Sequence, residues 1–533
     1  MTVRAVPRPD DSPEDVSPIG SRTLYRMDPA RFDEAVSAAI EALRDDDGLY
    51  QRGGSLVRVV RDVSPDGARA LSAPTLVPVS APHLSARLAR VFACAKETKH
   101  GLRVVEIPQR LVASVLDAGE WPGMRTATGV VEQPVMLADG RVLQSPGWDP
   151  ASGLIYEPNG TYLPVSPRPT RFEAVEAMAA LLDLVVDFPF AQDHHRSAAI
   201  AAILTIFARP AIVSPTPLFL FEAATPGTGK TRLIDAISLV TTGREASKRS
   251  YTTDPDEMRK VWTSQIMSGR MLTTLDNVRG NIGDPTTDMV LTTLRYEDRV
   301  LGSNTTFTAT NYMVVFVSAN NPGYNGDTAR RTLPIRLESK LENPEERQDF
   351  KHPKLMPWVM ENRSRLAHAA LTVLRAWHVA GRPDMGCKAW GSFEGWSDII
   401  PPAIVYAGMP DPMLARGDLG TAADPKKEAI ATLLECWQRM DPSNYGMTVG
   451  QVLRTLFPQR GGYNSDPPPD PDYFEGMRAA LLELAAAKGG EKVDPRQAGV
   501  EIRRARARVI KGRMFVEAGS AHGAVRWKVV QDG

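Results

Sequence analysis

The sequence predicts an α/β fold with a mostly parallel sheet at its centre, and three observations carry that expectation. Residues 217–222 (PLFLFE) form a short, almost wholly apolar run, the pattern of a strand buried on both faces of a parallel sheet. The run opens onto ATPGTGKT at residues 224–231, and the following TRLIDAISLVTTG places Leu233, Ile237 and Val240 on one helical face before stopping at Gly243. Around this unit, residues 209–345 alternate strand-like and helix-like stretches, as an α/β domain requires.

The strand–loop–helix unit predicts a phosphate site. Backbone N–H groups of such a loop converge with a helix N-terminus on one anion. Pro226, Gly227, Thr228, Gly229, Lys230 and Thr231 are therefore expected to hold ATP with Mg²⁺. Lys230 would meet the β- and γ-phosphates, and the Thr231 hydroxyl would ligate the metal. The first position is Ala224 where the strict pattern has glycine. Gly227 and Gly229 are the positions at which a Cβ would obstruct the phosphates.

Composition sets the wider frame. At 533 residues the chain has room for three or four domains, taking roughly 150 residues for each. Its 63 basic and 63 acidic residues cancel, so any nucleic-acid surface must arise from local clustering. Cys94, Cys387 and Cys436 lie far apart without metal-ligand spacing, which fits reduced thiols and a cytoplasmic location. The polar, Pro-rich N-terminus has no apolar signal region, and residues 198–207 are too few to span a bilayer, so no membrane partner is expected. The expected organisation is a disordered tail (1–30), an α+β domain (31–165), the α/β domain (166–385), a loop-rich linker (386–425) and a C-terminal unit (426–533). Within the second of these, helices are expected over 29–43, 83–95 and 109–118.

Further parts of a hydrolytic site follow the phosphate loop at sensible distances. Residues 271–276 (MLTTLD) read as a strand ending in Asp276, where ligands of open parallel sheets bind and where a carboxylate holds the water shell of Mg²⁺. Asn277 follows where many ATPases carry an acid to polarise the attacking water, so Asn277 orients water or a carboxylate such as Glu222 supplies the base. Residues 312–321 form a third apolar strand ending in Asn320 and Asn321, amides suited to contact the γ-phosphate and the lytic water, with Asn320 the first choice. Next, GDTARRTLPIRL contains Arg330 and Arg331, read either as guanidinium groups reaching a neighbouring subunit's γ-phosphate or as an exposed salt-bridged pair.

Taken together, the phosphate loop, LDN, LTTLRYEDRVLG, VSANNP and GDTARRTLPIRL resemble the AAA+ ATPase core of phage and plasmid replication proteins, the primase-helicase group allied to superfamily 3 helicases. The resemblance implies a P-loop ATPase that assembles as a ring, a hexamer by expectation, and translocates on single-stranded or forked DNA beside other replication proteins. Carried over by position, Lys230, Thr231 and Asp276 take nucleotide and Mg²⁺ roles, Asn320 that of sensor 1, and Arg330 or Arg331 that of the trans-acting finger. A pore hairpin is expected at residues 299–310, where Arg299 is the sole basic residue; a plain structural hairpin is the alternative. Different readings of the whole are an ATP-dependent DNA-binding switch or helicase loader, and a defence or regulatory ATPase.

The C-terminal unit concentrates positive charge. Asp494-Pro495 begins an expected helix running to Gly512, with Arg504, Arg508 and Lys511 on one face and Arg503 beside them. RMFVEAG and AVRWKVV then suggest a hairpin. Helices followed by a basic helix and a hairpin give the order of a winged-helix-like DNA-binding domain. A solvated helix face is the alternative.

Overall fold

The computed structural model describes residues 22–61, 73–225, 227–299, 306–325, 327–341, 343–422, 425–457, 474–487, 492–506, 508–521 and 523–531. Most of the expected tail, Pro226, Gly326 and the tip of the 299–310 hairpin lie outside them. The chain divides after Arg416 into two compact units.

The first unit begins with the helices Phe32–Leu43, Ala81–Val91 and Gln109–Leu116, whose apolar faces meet at Ala39, Leu43, Leu84, Leu88, Leu111 and Trp121. A three-stranded sheet, in the order Thr23–Arg26, Phe92–Thr98, Gly101–Val105, flanks them. The helix expected over 83–95 ends at Val91, and Phe92 is already extended. An unbroken buried run such as Phe92 to Ala95 suits either period. Pairing with a strand on each side decides for β.

The centre of this unit is a five-stranded, all-parallel sheet. Its order is Lys248–Arg249, Leu272–Val278, Val314–Asn320, Leu218–Ala223, Thr332–Leu337. The strand before the phosphate loop thus lies between the Asn320 strand and the last strand, with every residue buried, as its apolar run requires. The helix Asp193–Ala208 is buried from Ser197 to Ala208, because its alanines let neighbouring elements approach on all sides. Residues 386–415 are not a linker. Trp390, Phe393 and Trp396 belong to the main hydrophobic core, and the Trp396 indole donates to Thr205 Oγ1 at 2.8 Å. Their large apolar areas are worth more inside than exposed, so this stretch packs against the helical layer.

The N-terminal sheets are tied to the parallel-sheet core by a buried arginine. Arg52, 5 % exposed, donates to the Ile266 and Met267 carbonyls near the C-terminus of helix Pro255–Ser268, where unpaired carbonyls favour a cation. The neighbouring Gly53 (φ +56°) lies so close to the backbone of Thr308 that an added Cβ would fall 2.6 Å from its carbonyl oxygen.

The second unit has helices Pro425–Met440, Val449–Leu456, Glu475–Ala485 and Pro495–Arg504, with a sheet in the order Met447–Thr448, Ala524–Gln531, Arg513–Ala521. Trp437, Phe515 and Trp527 anchor its core. The Asp494 carboxylate caps the last helix through the N–H groups of Arg496 and Gln497. That helix stops at Arg504 instead of reaching Gly512. Beyond it, Arg506 bridges to Phe515, and Ile510 is buried and bridges to Arg513, so the core draws the chain off the helical path. Among the described residues no helix is long and apolar enough to cross a membrane.

Candidate nucleotide-binding site

Three of the predicted groups meet because neighbouring parallel strands end at the same edge. Ala223, the last residue of the phosphate-loop strand, is in register with Asn320, the last residue of the next. The Asp276 strand lies on the far side of the Asn320 strand. At this edge Gly229 caps the helix Lys230–Thr242 in a left-handed conformation (φ +93°), and Gly227 is also left-handed (φ +77°). A Cβ on Gly227 would fall 2.6 Å from Glu345 Oε2, and one on Gly229 would fall 3.3 Å from Phe188. The backbone conformation demands glycine at both places, and the Glu345 carboxylate lies against the loop at Gly227. Thr228 is buried and donates to the Thr225 carbonyl at 3.4 Å; Thr231 is half-buried at the start of the helix.

The Asp276 strand carries a feature that its sequence conceals. Its pairing with the Asn320 strand slips between Leu275 and Val278, so Asp276 and Asn277 together oppose the single residue Ser318. This bulge re-aims the carboxylate at the sheet edge. Ser318 Oγ accepts from the Asn277 N–H at 2.8 Å and donates to Asp276 Oδ1. Asn277 takes a left-handed conformation (φ +53°), which asparagine tolerates better than most residues, and is exposed. Burial lowers the Lys230 pKa from the usual lysine value, opposed by the nearby Asp276 charge. The two groups are therefore near enough to interact.

The remaining candidates separate. Glu222 is buried one residue before the strand end, and its carboxylate accepts from Arg336 at 3.0 Å. A carboxylate already neutralised by a guanidinium is a poor proton acceptor. Asn320 is exposed at its strand end, and Asn321 turns away in a left-handed conformation (φ +42°). Arg330 and Arg331 share a short 3₁₀ turn but differ in surroundings. Arg331 is 16 % exposed and ion-paired at 2.7 Å with Asp288, which also accepts from Thr328 Oγ1. Arg330 is 68 % exposed and, among the described residues, pairs with Asp327 three residues earlier, which also meets Arg331. Arg331 thus fastens its turn to the helix Pro285–Val290.

A cavity of about 810 Å³ adjoins the phosphate loop. Its wall includes Phe188, Phe190 and Phe350, with Arg347 and His352 nearby. Asp187, Glu338, Glu345 and Asp349 also line it, so its wall mixes aromatic faces with many charged groups, at a size within the range of ligand pockets. None of these residues was expected from sequence; they come from segments before and after the sheet, and only Phe188 and Phe190, in the run DFPF, gave an aromatic signal.

Arg299 ends the first strand of a hairpin, Arg295–Arg299 paired with Thr306–Thr310. Arg295, Glu297 and Arg299 are exposed along one face, so Arg295 joins Arg299 as a cation there. The opposite face is anchored by buried Asp298, which accepts from Arg259, Thr263 and Tyr296 and is held well below the usual carboxylate range, chiefly by Arg259. In the second unit the basic stretch is dispersed. Arg503 and Arg504 end a helix, whereas Arg508 and Lys511 follow it. Arg504 pairs with Glu501 and Lys511 with Glu428.

No protein-family model matches the chain, and no curated protein matches it. Among solved structures it is similar to the NrS-1 C-terminal region, at 15% identity over 80% of this chain and 92% of that one, with a TM-score of 0.35. It is also similar to the SCCmec type IV Cch active helicase, at 11% identity over 91% and 97% and a TM-score of 0.35. The JCV helicase aligns at 14% identity over 48% and 74%, with a TM-score of 0.22. Two of the three are helicases by name, and at TM-scores this low the likeness says nothing of this chain's chemistry.

Proposed function

We propose that the protein is an ATP-dependent DNA helicase of the phage and plasmid replication type, assembling as a ring and translocating on single-stranded DNA. The observation that carries this reading is the convergence of Lys230, Asp276 and Asn320 at adjacent strand ends beside a glycine cradle. The loop N–H groups and Lys230 bind the phosphates, and the aromatic-walled cavity takes the base. Thr231 and Asp276 would hold Mg²⁺, which when bound neutralises charge on the phosphates. Ser318 fixes the Asp276 carboxylate, Asn320 positions the γ-phosphate and water, and exposed Asn277 orients the attacking water through its amide. Arg330, extended into solvent, reaches the γ-phosphate of the adjoining subunit.

DNA contacts follow from the exposed charge. Arg295 and Arg299 project from a hairpin between the Asp276 and Asn320 strands, the place of a channel loop. The second unit's sheet order and its helix before the last hairpin support a winged-helix-like DNA-binding domain, with Arg503 and Arg508 exposed and in no ion pair among the described residues. The deciding measurement is strand displacement on a forked duplex with ATP. Wild type should unwind it and Lys230→Ala should lose hydrolysis and unwinding together. DNA-stimulated hydrolysis with no displacement would replace the helicase with an ATP-dependent DNA-binding switch or loader.

A further inference from the structure

The N-terminal part of the first unit carries a basic hairpin that the nucleotide site does not use. Strands Phe92–Thr98 and Gly101–Val105 pair antiparallel, and every residue from Lys96 to Val104 is exposed. Lys96 stands directly opposite Arg103. Two like charges across a strand pair destabilise it. Lys99 and His100 add to the tip. The one acid on these strands, Glu97, is taken by Arg26 of the neighbouring strand. Lys96, Lys99 and Arg103 have no ion pair among the described residues, in a chain whose total charge is zero. Leu102 and Val104, 39 % and 47 % exposed, leave apolar side chains in water on the same hairpin.

We propose that this hairpin is a docking surface for duplex DNA, gripping the phosphate backbone through Lys96, Lys99 and Arg103. An anion between Lys96 and Arg103 removes their repulsion. A two-stranded ribbon fits the major groove, with Lys96 and Arg103 on the face turned to the DNA and Leu102 and Val104, one residue out of phase, on the other. Single strands are the poorer fit, because binding them depends on aromatic side chains that stack on bases, and residues 96–104 contain no Phe, Tyr or Trp. The proposal rests on the reading of a DNA-acting protein and adds the duplex arm of the fork to its contacts.

The test is fluorescence anisotropy of the full chain, without nucleotide, on a random-sequence duplex and on one of its strands alone. With Lys96→Gln, Lys99→Gln and Arg103→Gln combined, duplex affinity should fall about tenfold at moderate salt, and the salt slope should flatten by about 2 to 3, near 0.9 per lost phosphate contact. Single-strand affinity should stay within about twofold. A variant that exchanges Lys for Arg at these positions, and Arg for Lys, should bind as wild type; loss of binding in it would overturn the proposal, since charge would then not be the cause. Unchanged duplex binding in the Gln variant, an equal loss on both DNAs, or no duplex binding by wild type would each overturn it. Because no ATP is present, failure of the helicase reading in the unwinding assay leaves this result independent.

Discussion

The phosphate-loop site and the basic C-terminal stretch bring charge together in opposite ways. Lys230, Asp276 and Asn320 are spread over ninety positions of sequence, yet parallel pairing places their strand ends side by side. Arg503, Arg504, Arg508 and Lys511 are almost contiguous, yet the chain leaves its helix after Arg504 and two of the four are neutralised by glutamates. Nearness in sequence made the weaker site. Sheet topology gathers distant residues reliably because a parallel strand has only one end at which its side chains and the following loop are free. A run of surface arginines has no such constraint, and each cation finds whatever acid is within reach.

The comparison can be sharpened first at the 3₁₀ turn, where one exposed and one enclosed arginine lie side by side. Arg330→Ala should lower turnover by about a thousandfold or more while leaving ATP binding and denaturation unchanged. Arg331→Ala should instead cost about 2 kcal/mol in chemical denaturation, because it strands Asp288 in a partly buried site. If the two variants behaved alike, the separation of roles would fail.

A smaller effect is expected at Ser318, which touches no nucleotide and acts through Asp276. Ser318→Ala should reduce turnover about tenfold and raise the Mg²⁺ concentration needed for half-maximal rate, with ATP binding in the absence of metal unaltered. A uniform loss at all Mg²⁺ concentrations would point to misfolding of the bulge and away from positioning.

The smallest effect belongs to the C-terminal stretch. Arg503→Gln with Arg508→Gln should weaken single-stranded or forked DNA binding several-fold and flatten its salt slope by about 1 to 2. Arg504→Gln with Lys511→Gln should change affinity less than about twofold, because Glu501 and Glu428 already hold these cations. Equal losses in both pairs would restore the single basic face expected from the sequence.

How far the sequence could be read depended on the kind of signal. The glycine-rich loop between an apolar strand and a helix was legible because steric demands on the backbone select residue types at fixed spacing. Asp276, two residues before the end of its strand, and strand-terminal Asn320 were legible for a related reason: apolar runs giving way to polar residues mark where a buried strand emerges. Ser318 was hidden, since a serine within a buried strand carries no mark of the bulge it faces. The helix expected over 83–95 failed at Val91, where local pattern gave no choice between periods and long-range pairing made it.

By itself, then, the chain determined that a glycine-rich loop joins a buried strand to a helix and that a carboxylate and an amide stand near the ends of two further strands, because those choices are imposed locally by backbone geometry and strand ends. Tertiary structure decided what local pattern leaves free. It set the bulge that turns Asp276 inward, the ion pair that encloses Arg331 while exposing Arg330, and the core that draws Trp390 and Trp396 out of an apparent linker. Each of these is fixed by partners far away in sequence, whose pairing and burial energies outweigh the preferences of the segment itself.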